Sequence, residues 1–200
     1  MDAPAPTDFV VMTIDSMWFT VPGREERLIT PRLLLRRWRG ADESLMAAIN
    51  QDPEVTRYLN RPVDDGAVQA FFGVVNEHWQ RHGFGFWAVE LRRVGGEGRF
   101  VGFVGVAYPS FLPEVADRPE LGWRLARNLW GLGLATEAAT AARDDAFSRL
   151  GLGEVVSIIH PENARSRRLA TKLSMSIERR VHNPVLARDV DLWRVQAPAS

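Results

Sequence analysis

The chain has 200 residues, enough for one domain with a sizeable core, and its 46% hydrophobic and 25% charged residues give the composition of a globular protein. Lys plus Arg number 25 and Asp plus Glu number 25, so no net field draws it to nucleic acid or to an anionic membrane. The absence of cysteine removes disulfides, thiolate nucleophiles and cysteine metal sites, and the four scattered histidines (His78, His82, His160, His182) suggest no metal centre.

The opening stretch MDAPAPTDFVVMTIDSMWFTVPGREER does not read as a targeting signal. Asp2 and Asp8 stand where a secretory peptide needs basic residues, and Asp15 and Ser16 interrupt an apolar run too short to span a bilayer. A cytoplasmic protein is expected. Residues 1–26 read as a tail, partly disordered around Ala3–Pro6 or adding a strand near Phe9–Ile14, and residues 27–200 as the domain. RLLLRRW (Arg32–Trp38) suits a short strand, and Ala41–Gln51 a helix that Asp42 caps and that packs through Leu45, Ala48 and Ile49. Pro62 and Gly66 bracket a turn before a second helix with Phe71, Val74, Val75 and Trp79 on one face. Three strands follow, GFWAVELR, RFVGFVGVAY and ELGWRL, separated by Gly-rich or Pro-rich connections. Then come a glycine turn, a helix over about Ala135–Leu150 stopped by Gly151, a strand EVVSIIH, a helix from Asn163, and strands near Ser176–His182 and Asp189–Val195. Two early helices, a meander and a closing β-α-β-α-β make an α+β fold, a mixed central sheet flanked by helices.

The stretch NLWGLGLATEAA (Asn128–Ala139) has almost no reactive side chains, so any chemistry there comes from backbone. Ala135, Ala139, Ala142 and Ala146 form a small-residue stripe that lets the helix lie close to the sheet. Ahead of it, free N–H groups of the first turn, approached over Gly131 and Gly133, make an anion nest suited to phosphate. The alternative is a tight turn whose glycines only relieve crowding. The Walker pattern is absent, since no Lys-Ser/Thr follows Gly133, and the dinucleotide fingerprint fails because Thr136 occupies its last glycine position. What fits is [Q/R]-x-x-G-x-[G/A], read from Trp130 to Ala135 as W-G-L-G-L-A.

That loop resembles the pyrophosphate loop of the GNAT acyltransferases. LITPRLLLRRW, DPEVTRYL, GFGFWAVE, VGFVGV, ELGWRLARNLWGLGLATEAA and HPENARSRRLATKLSM follow the order and spacing of the RimJ/RimL-type N-acetyltransferase branch, over roughly Leu28–Val195. The resemblance implies the GNAT fold for residues 27–200, acetyl-CoA as cosubstrate without metal, and direct acetyl transfer to a primary amine in a ternary complex. It implies coenzyme contacts from Leu125 and Arg127, from Trp130, Gly131, Leu132, Gly133, Leu134, Ala135 and Thr136, and from Asn163, Ser166 and Arg168. The chain departs from the family in having Trp130 in the Gln/Arg slot, KLSM for K-L-G-F, and Ala170 where many members carry a tyrosine near the coenzyme sulfur. Asn163 reads both as a helix N-cap and as a neighbour of the pantetheine arm. Ser166 shares the inward helical face with Leu169, Ala170 and Leu173, and is a candidate for the missing proton donor.

An amine attacks a thioester only when neutral, so a lysine side chain (pKa about 10) or an α-amino group (about 8) must first lose a proton. Glu120, which opens the strand leading to the loop, is the first candidate base. Its competing role is a strand-end carboxylate paired with Arg118 or Arg124. His160 is the reserve base, and Glu137 reads as serving the helix dipole. Tyr58 and Trp87 are candidate substrate walls. Expected partners are an amine acceptor, a peptide N-terminus or a small molecule, with no nucleic acid and no membrane; a homodimer stays open. Two other readings compete with the enzyme: a non-catalytic acyl-CoA sensor or regulatory protein of the same fold, and a nucleotide-binding structural domain.

Overall fold

The computed structural model describes residues 27–59, 64–93, 98–109, 111–184 and 187–198. The tail expected over residues 1–26, with its strand near Phe9–Ile14, lies outside them. The elements run in the order β1 (Arg27–Ile29), β2 (Leu33–Arg36), α1 (Asp42–Asn50), α2 (Pro53–Thr56), α3 (Asp65–His82), β3 (Phe86–Leu91), β4 (Arg99–Ala107), β5 (Glu120–Leu125), α4 (Leu134–Ser148), β6 (Glu154–Ile159), α5 (Ala164–Lys172), β7 (Ser176–Asn183) and β8 (Arg188–Gln196). One eight-stranded sheet has the order β1-β2-β3-β4-β5-β6-β8-β7. Every neighbouring pair is antiparallel except β5 with β6, which are parallel. This is the mixed sheet expected from the sequence, and no helix among the described residues is long and apolar enough to cross a membrane.

The main core lies between the sheet and α4. Ala138, Ala139, Ala142 and Ala146 are all buried to within 2% exposure, and such small side chains allow a close helix-to-sheet approach. Leu121 and Leu125 of β5, Val155 and Ile159 of β6, Leu169 and Ala170 of α5, and Leu173 at its C-cap join the same cluster. The opposite face carries a separate cluster of Leu112, Val115, Val156, Val181, Val190 and Leu192. Strand alternation therefore sends odd and even residues of β5, β6 and β8 to two different environments.

Two helical faces differ from the sequence expectation. In α1 the buried residues are Asp42, Met46 and Asn50, while Leu45 is exposed. Asp42 is not the cap: Ala41 holds that position, and the Asp42 carboxylate is buried in a bidentate ion pair with Arg36, at 2.7 and 2.8 Å. Arg36 also reaches Glu90 at 2.6 Å. Burial lowers the guanidinium's pKa, but these two carboxylates more than offset it. That polar demand turns α1 by one position relative to its apolar pattern. In α3, Val68, Phe72, Val75 and Trp79 are buried and Val74 is exposed, so Phe72 takes the place expected of Val74.

Candidate active site

The parallel pair β5–β6 holds together at one register point, Glu120 opposite Val156. Val156 N–H donates to Pro119 O at 2.9 Å. One residue later the buried Ser157 hydroxyl, not a backbone amide, donates to Leu121 O at 2.6 Å. A side chain thus ends the ladder, and Gly122–Leu125 continue paired only to β4. The sheet opens there into a cleft, with α4 following one wall and α5 the other.

At the mouth of the cleft the chain turns from β5 into α4. Trp130 Nε1 donates to Leu125 O at 2.9 Å, and Arg32 Nη1 donates to Leu132 O at 2.8 Å, fixing the loop from both sides. Gly131 and Gly133 have φ of 81° and 78°, a region that favours glycine. A Cβ on Gly131 would meet nothing within 4 Å, so its role is backbone handedness and not relief of crowding. Gly133 is the helix N-cap, and the first helical bond runs from Glu137 N–H to its carbonyl at 3.0 Å. Among the described residues, no protein group accepts from the six consecutive amides of Gly131, Leu132, Gly133, Leu134, Ala135 and Thr136. Six donors at the positive end of a 15-residue helix suit an anion.

Glu137 does more than complement the dipole. Its carboxylate accepts from Thr30 Oγ1 at 2.6 Å, from Arg32 N at 2.9 Å and from Arg32 Nε at 2.6 Å. Burial raises its pKa, yet the bonds from Thr30 and Arg32 outweigh burial and hold it below the ordinary carboxylate value. The β1–β2 turn is thereby latched onto the first turn of α4. Arg32 and Thr30 went unassigned in the sequence because their partner lies more than 100 residues away.

Across the cleft, Asn163 caps α5 by accepting from Ser166 N at 3.1 Å, with the NH2 end of its side chain left to donate to another partner. Ser166 accepts from Trp123 Nε1 at 3.3 Å, so its own hydroxyl hydrogen can be donated elsewhere. Ala170 is fully buried. Arg165 lies over the Trp130 ring at 4.7 Å, which ties the basic side of α5 to the glycine loop. A cavity of about 260 Å³ is bounded by Tyr58, Glu162, Asn163, Ala164, Arg165 and Arg168. Arg127 is exposed, 3.7 Å from Asp52.

The other face of the cleft carries Glu120, half-buried at the start of β5. Arg118, one of its expected partners, is engaged by Glu154 and Glu178 at 2.7 and 2.8 Å, and Arg124 reaches Asn50 at 2.9 Å. His160 Nδ1 accepts from Glu162 N–H at 3.1 Å. A backbone amide can only donate, so the neutral ring carries its proton on Nε2. Burial, then the charge of Arg188, pushes the His160 pKa down against the opposing carboxylates of Glu162 and Asp191. This ring therefore presents a donor. Tyr58 packs on it with ring centroids 5.0 Å apart and donates to Glu162 O at 3.2 Å. Trp87 stands apart from these groups: it is 3% exposed, edge-on to Trp79 in the core, and borders no open surface.

His78 and His82 sit one turn apart on α3, a spacing that deserved a metal reading in the sequence. The His78 ring is committed, with Nδ1 bonding Phe84 O at 2.8 Å and Nε2 accepting from Tyr108 N at 3.0 Å. No cluster of three metal-ligating side chains occurs among the described residues.

The family model of the acetyltransferase (GNAT) domain matches residues 32–176. The uncharacterized N-acetyltransferase p20 of Bacillus licheniformis is 30% identical over 158 residues, 76% of this chain and 84% of that one. The crystal structure of an acetyltransferase from Agrobacterium tumefaciens superposes with a TM-score of 0.74 at 26% identity, covering 92% of this chain and 99% of the other. Mycobacterium smegmatis RimJ in complex with CoA-disulfide shares the fold, with a TM-score of 0.64 at 21% identity over 84% of this chain and 85% of that one.

Proposed function

The chain belongs to the GNAT acetyltransferase family and is an N-acetyltransferase, and from that premise we propose that it moves the acetyl group of acetyl-CoA directly to a primary amine within the β5–β6 cleft. The observation that carries this reading is the run of six unpartnered amides from Gly131 to Thr136 at the N-terminus of α4. Acetyl-CoA would supply the acetyl group as a thioester, and those amides suit its pyrophosphate. Leu125 and Trp130 shape the loop, and in this reading Arg127, Asn163 and Arg168 are assigned to the rest of the coenzyme. No metal takes part in this reading.

The acceptor amine reacts only in its neutral form. Glu120 takes its proton, directly or through a water, as the nitrogen attacks the thioester carbon. The nitrogen–carbon bond forms, the carbon–sulfur bond breaks, and the leaving thiolate needs a proton. With Ala170 unable to give one, the Ser166 hydroxyl, oriented by the Trp123 indole, relays a proton to the thiolate and recovers one from a solvent water. His160, whose free nitrogen bears hydrogen, is assigned to orient the acceptor and not to act as base. Tyr58 shares that acceptor side, whereas Trp87 is left to the core. The reaction is placed in the cytoplasm, with a peptide N-terminus or a small molecule as acceptor.

The test is release of free CoA thiol from acetyl-CoA over a panel of dipeptides and small amines. The reading predicts acceptor-dependent release with stoichiometric N-acetyl product. Tight coenzyme binding with no release in any arm would contradict it.

A further inference from the structure

Arg188 opens β8 as a half-buried cation. Its Nη2 donates to the Tyr58 carbonyl, while its Nε is buried with no hydrogen-bond partner. Among the described side chains no carboxylate pairs with it. Burial alone pushes its pKa down, and no acidic side chain opposes that shift. Other sheltered arginines here are treated differently. Arg36 meets Asp42 and Glu90, and Arg118 meets Glu154 and Glu178. A guanidinium taken partly out of water without an anion is unfavourable, and its planar fork is matched to a carboxylate.

Its position gives the missing anion a meaning. Alternation places Arg188 on the face of β8 that carries Val190 and Leu192, which pack with Val156 of β6. His160 follows Val156 and Ile158 on that same face, and Glu120 stands opposite Val156 in register. The Arg188 charge is felt by His160, and Tyr58 joins the two, its ring packed at a tilt against one and its carbonyl accepting from the other. The cation thus belongs to the acceptor side of the cleft, away from the glycine loop.

We propose that Arg188 binds a carboxylate carried by the acceptor, so that the enzyme acetylates amines that are also acids, such as amino acids, in preference to plain amines. The inference rests on the acetyl-transfer reading above. In that arrangement the Nη edge of the Arg188 guanidinium holds the acid end while the amine is left to Glu120.

Matched acceptors test it: amino acids and their carboxamides, compared by thiol release in the wild-type protein, Arg188→Met and Arg188→Lys. The expected result is a preference of tenfold or more in kcat/KM for the acid, carried by KM. That ratio should fall towards one in Arg188→Met and partly return in Arg188→Lys, whose charge lacks the fork. Independently of turnover, an N-acetyl amino acid added to the CoA-saturated protein should raise the melting temperature of the wild type further and leave that of a folded, CoA-saturated Arg188→Met protein where CoA alone puts it. Equal use of acid and amide, or a preference that survives in Arg188→Met, would overturn the proposal while leaving acetyl transfer intact. Absence of turnover with every amine would instead strike the transfer reading, and the melting shift then decides the role of Arg188 alone.

Discussion

Replacing Gly133 by aspartate separates anion binding from folding at one position. Gly133 is the N-cap of α4, exposed, with φ of 78°. A non-glycine residue in that region costs roughly 1 kcal/mol, least for Asn and Asp, and an acidic N-cap returns about 1 kcal/mol. Stability should therefore barely change. Coenzyme binding should not escape so lightly, because the new carboxylate faces the same amides that would hold a pyrophosphate. Two unit charges roughly 5 Å apart at an effective dielectric of about 20 repel by about 3 kcal/mol. Arg32 offsets part of this, since its Nη2 lies 3.5 Å from where the new Cβ would stand. The expected loss is about ten- to a hundredfold in Kd for CoA relative to Gly133→Asn, the neutral variant of the same shape. Calorimetric titration gives the affinities and thermal melts give the stabilities. Equal CoA affinity in the Asp and Asn variants, both folded, would refute the assignment of this loop to phosphate.

Three further expectations concern the groups around the cleft. Glu137→Gln should remove about 1–2 kcal/mol of stability at neutral pH, a figure already reduced because Arg32 is half-exposed. The folded Glu137 pKa lies below its ordinary value, so the latch is fully present above that value and lost as pH falls through the folded one. The melting gap between wild type and variant should thus close below about pH 4; a gap constant from pH 7 to 3 would count against the latch. Ser157→Ala leaves Leu121 O without its 2.6 Å donor in a buried site and should cost about 1–3 kcal/mol in chemical denaturation; a change within error would mean that the ladder end needs no hydroxyl. Glu120→Gln should keep CoA affinity while turnover falls by about a hundredfold or more, with partial recovery at high pH where more acceptor is neutral; wild-type turnover and an unchanged pH profile would make Glu120 structural.

The elements that carry the cleft were legible because their signals are local. Strands from ELGWRL and EVVSIIH, a helix just past Gly133, and Asn163 as a cap each follow from a few adjacent residues, and β5, β6, α4 and α5 lie there. The inward set Ser166, Leu169, Ala170 and Leu173 also followed from helical spacing. Contacts made by distant residues were not legible. The apolar pattern of α1 pointed to Leu45, but Arg36 draws Asp42 inward and brings Met46 into the core with it. The Glu137 latch depends on the β1–β2 turn, and Arg188 acquires meaning only when β8 lies beside β6. Trp87 shows the opposite error, since an aromatic in a strand gives no local sign of which face it takes. The partner of Trp87 is Trp79, eight residues earlier on α3.

The central claim is that backbone amides of the glycine loop grip the coenzyme by its pyrophosphate. Amide spectra of isotopically labelled protein address it residue by residue, with CoA and pantetheine titrated in parallel. Pantetheine carries the same thiol arm without the pyrophosphate. The account predicts that CoA moves the amide resonances of Gly131 to Thr136 further than any others in α4, and that saturating pantetheine leaves these six nearly in place. Six unmoved resonances in the CoA-saturated protein, or equal shifts with pantetheine, would contradict it.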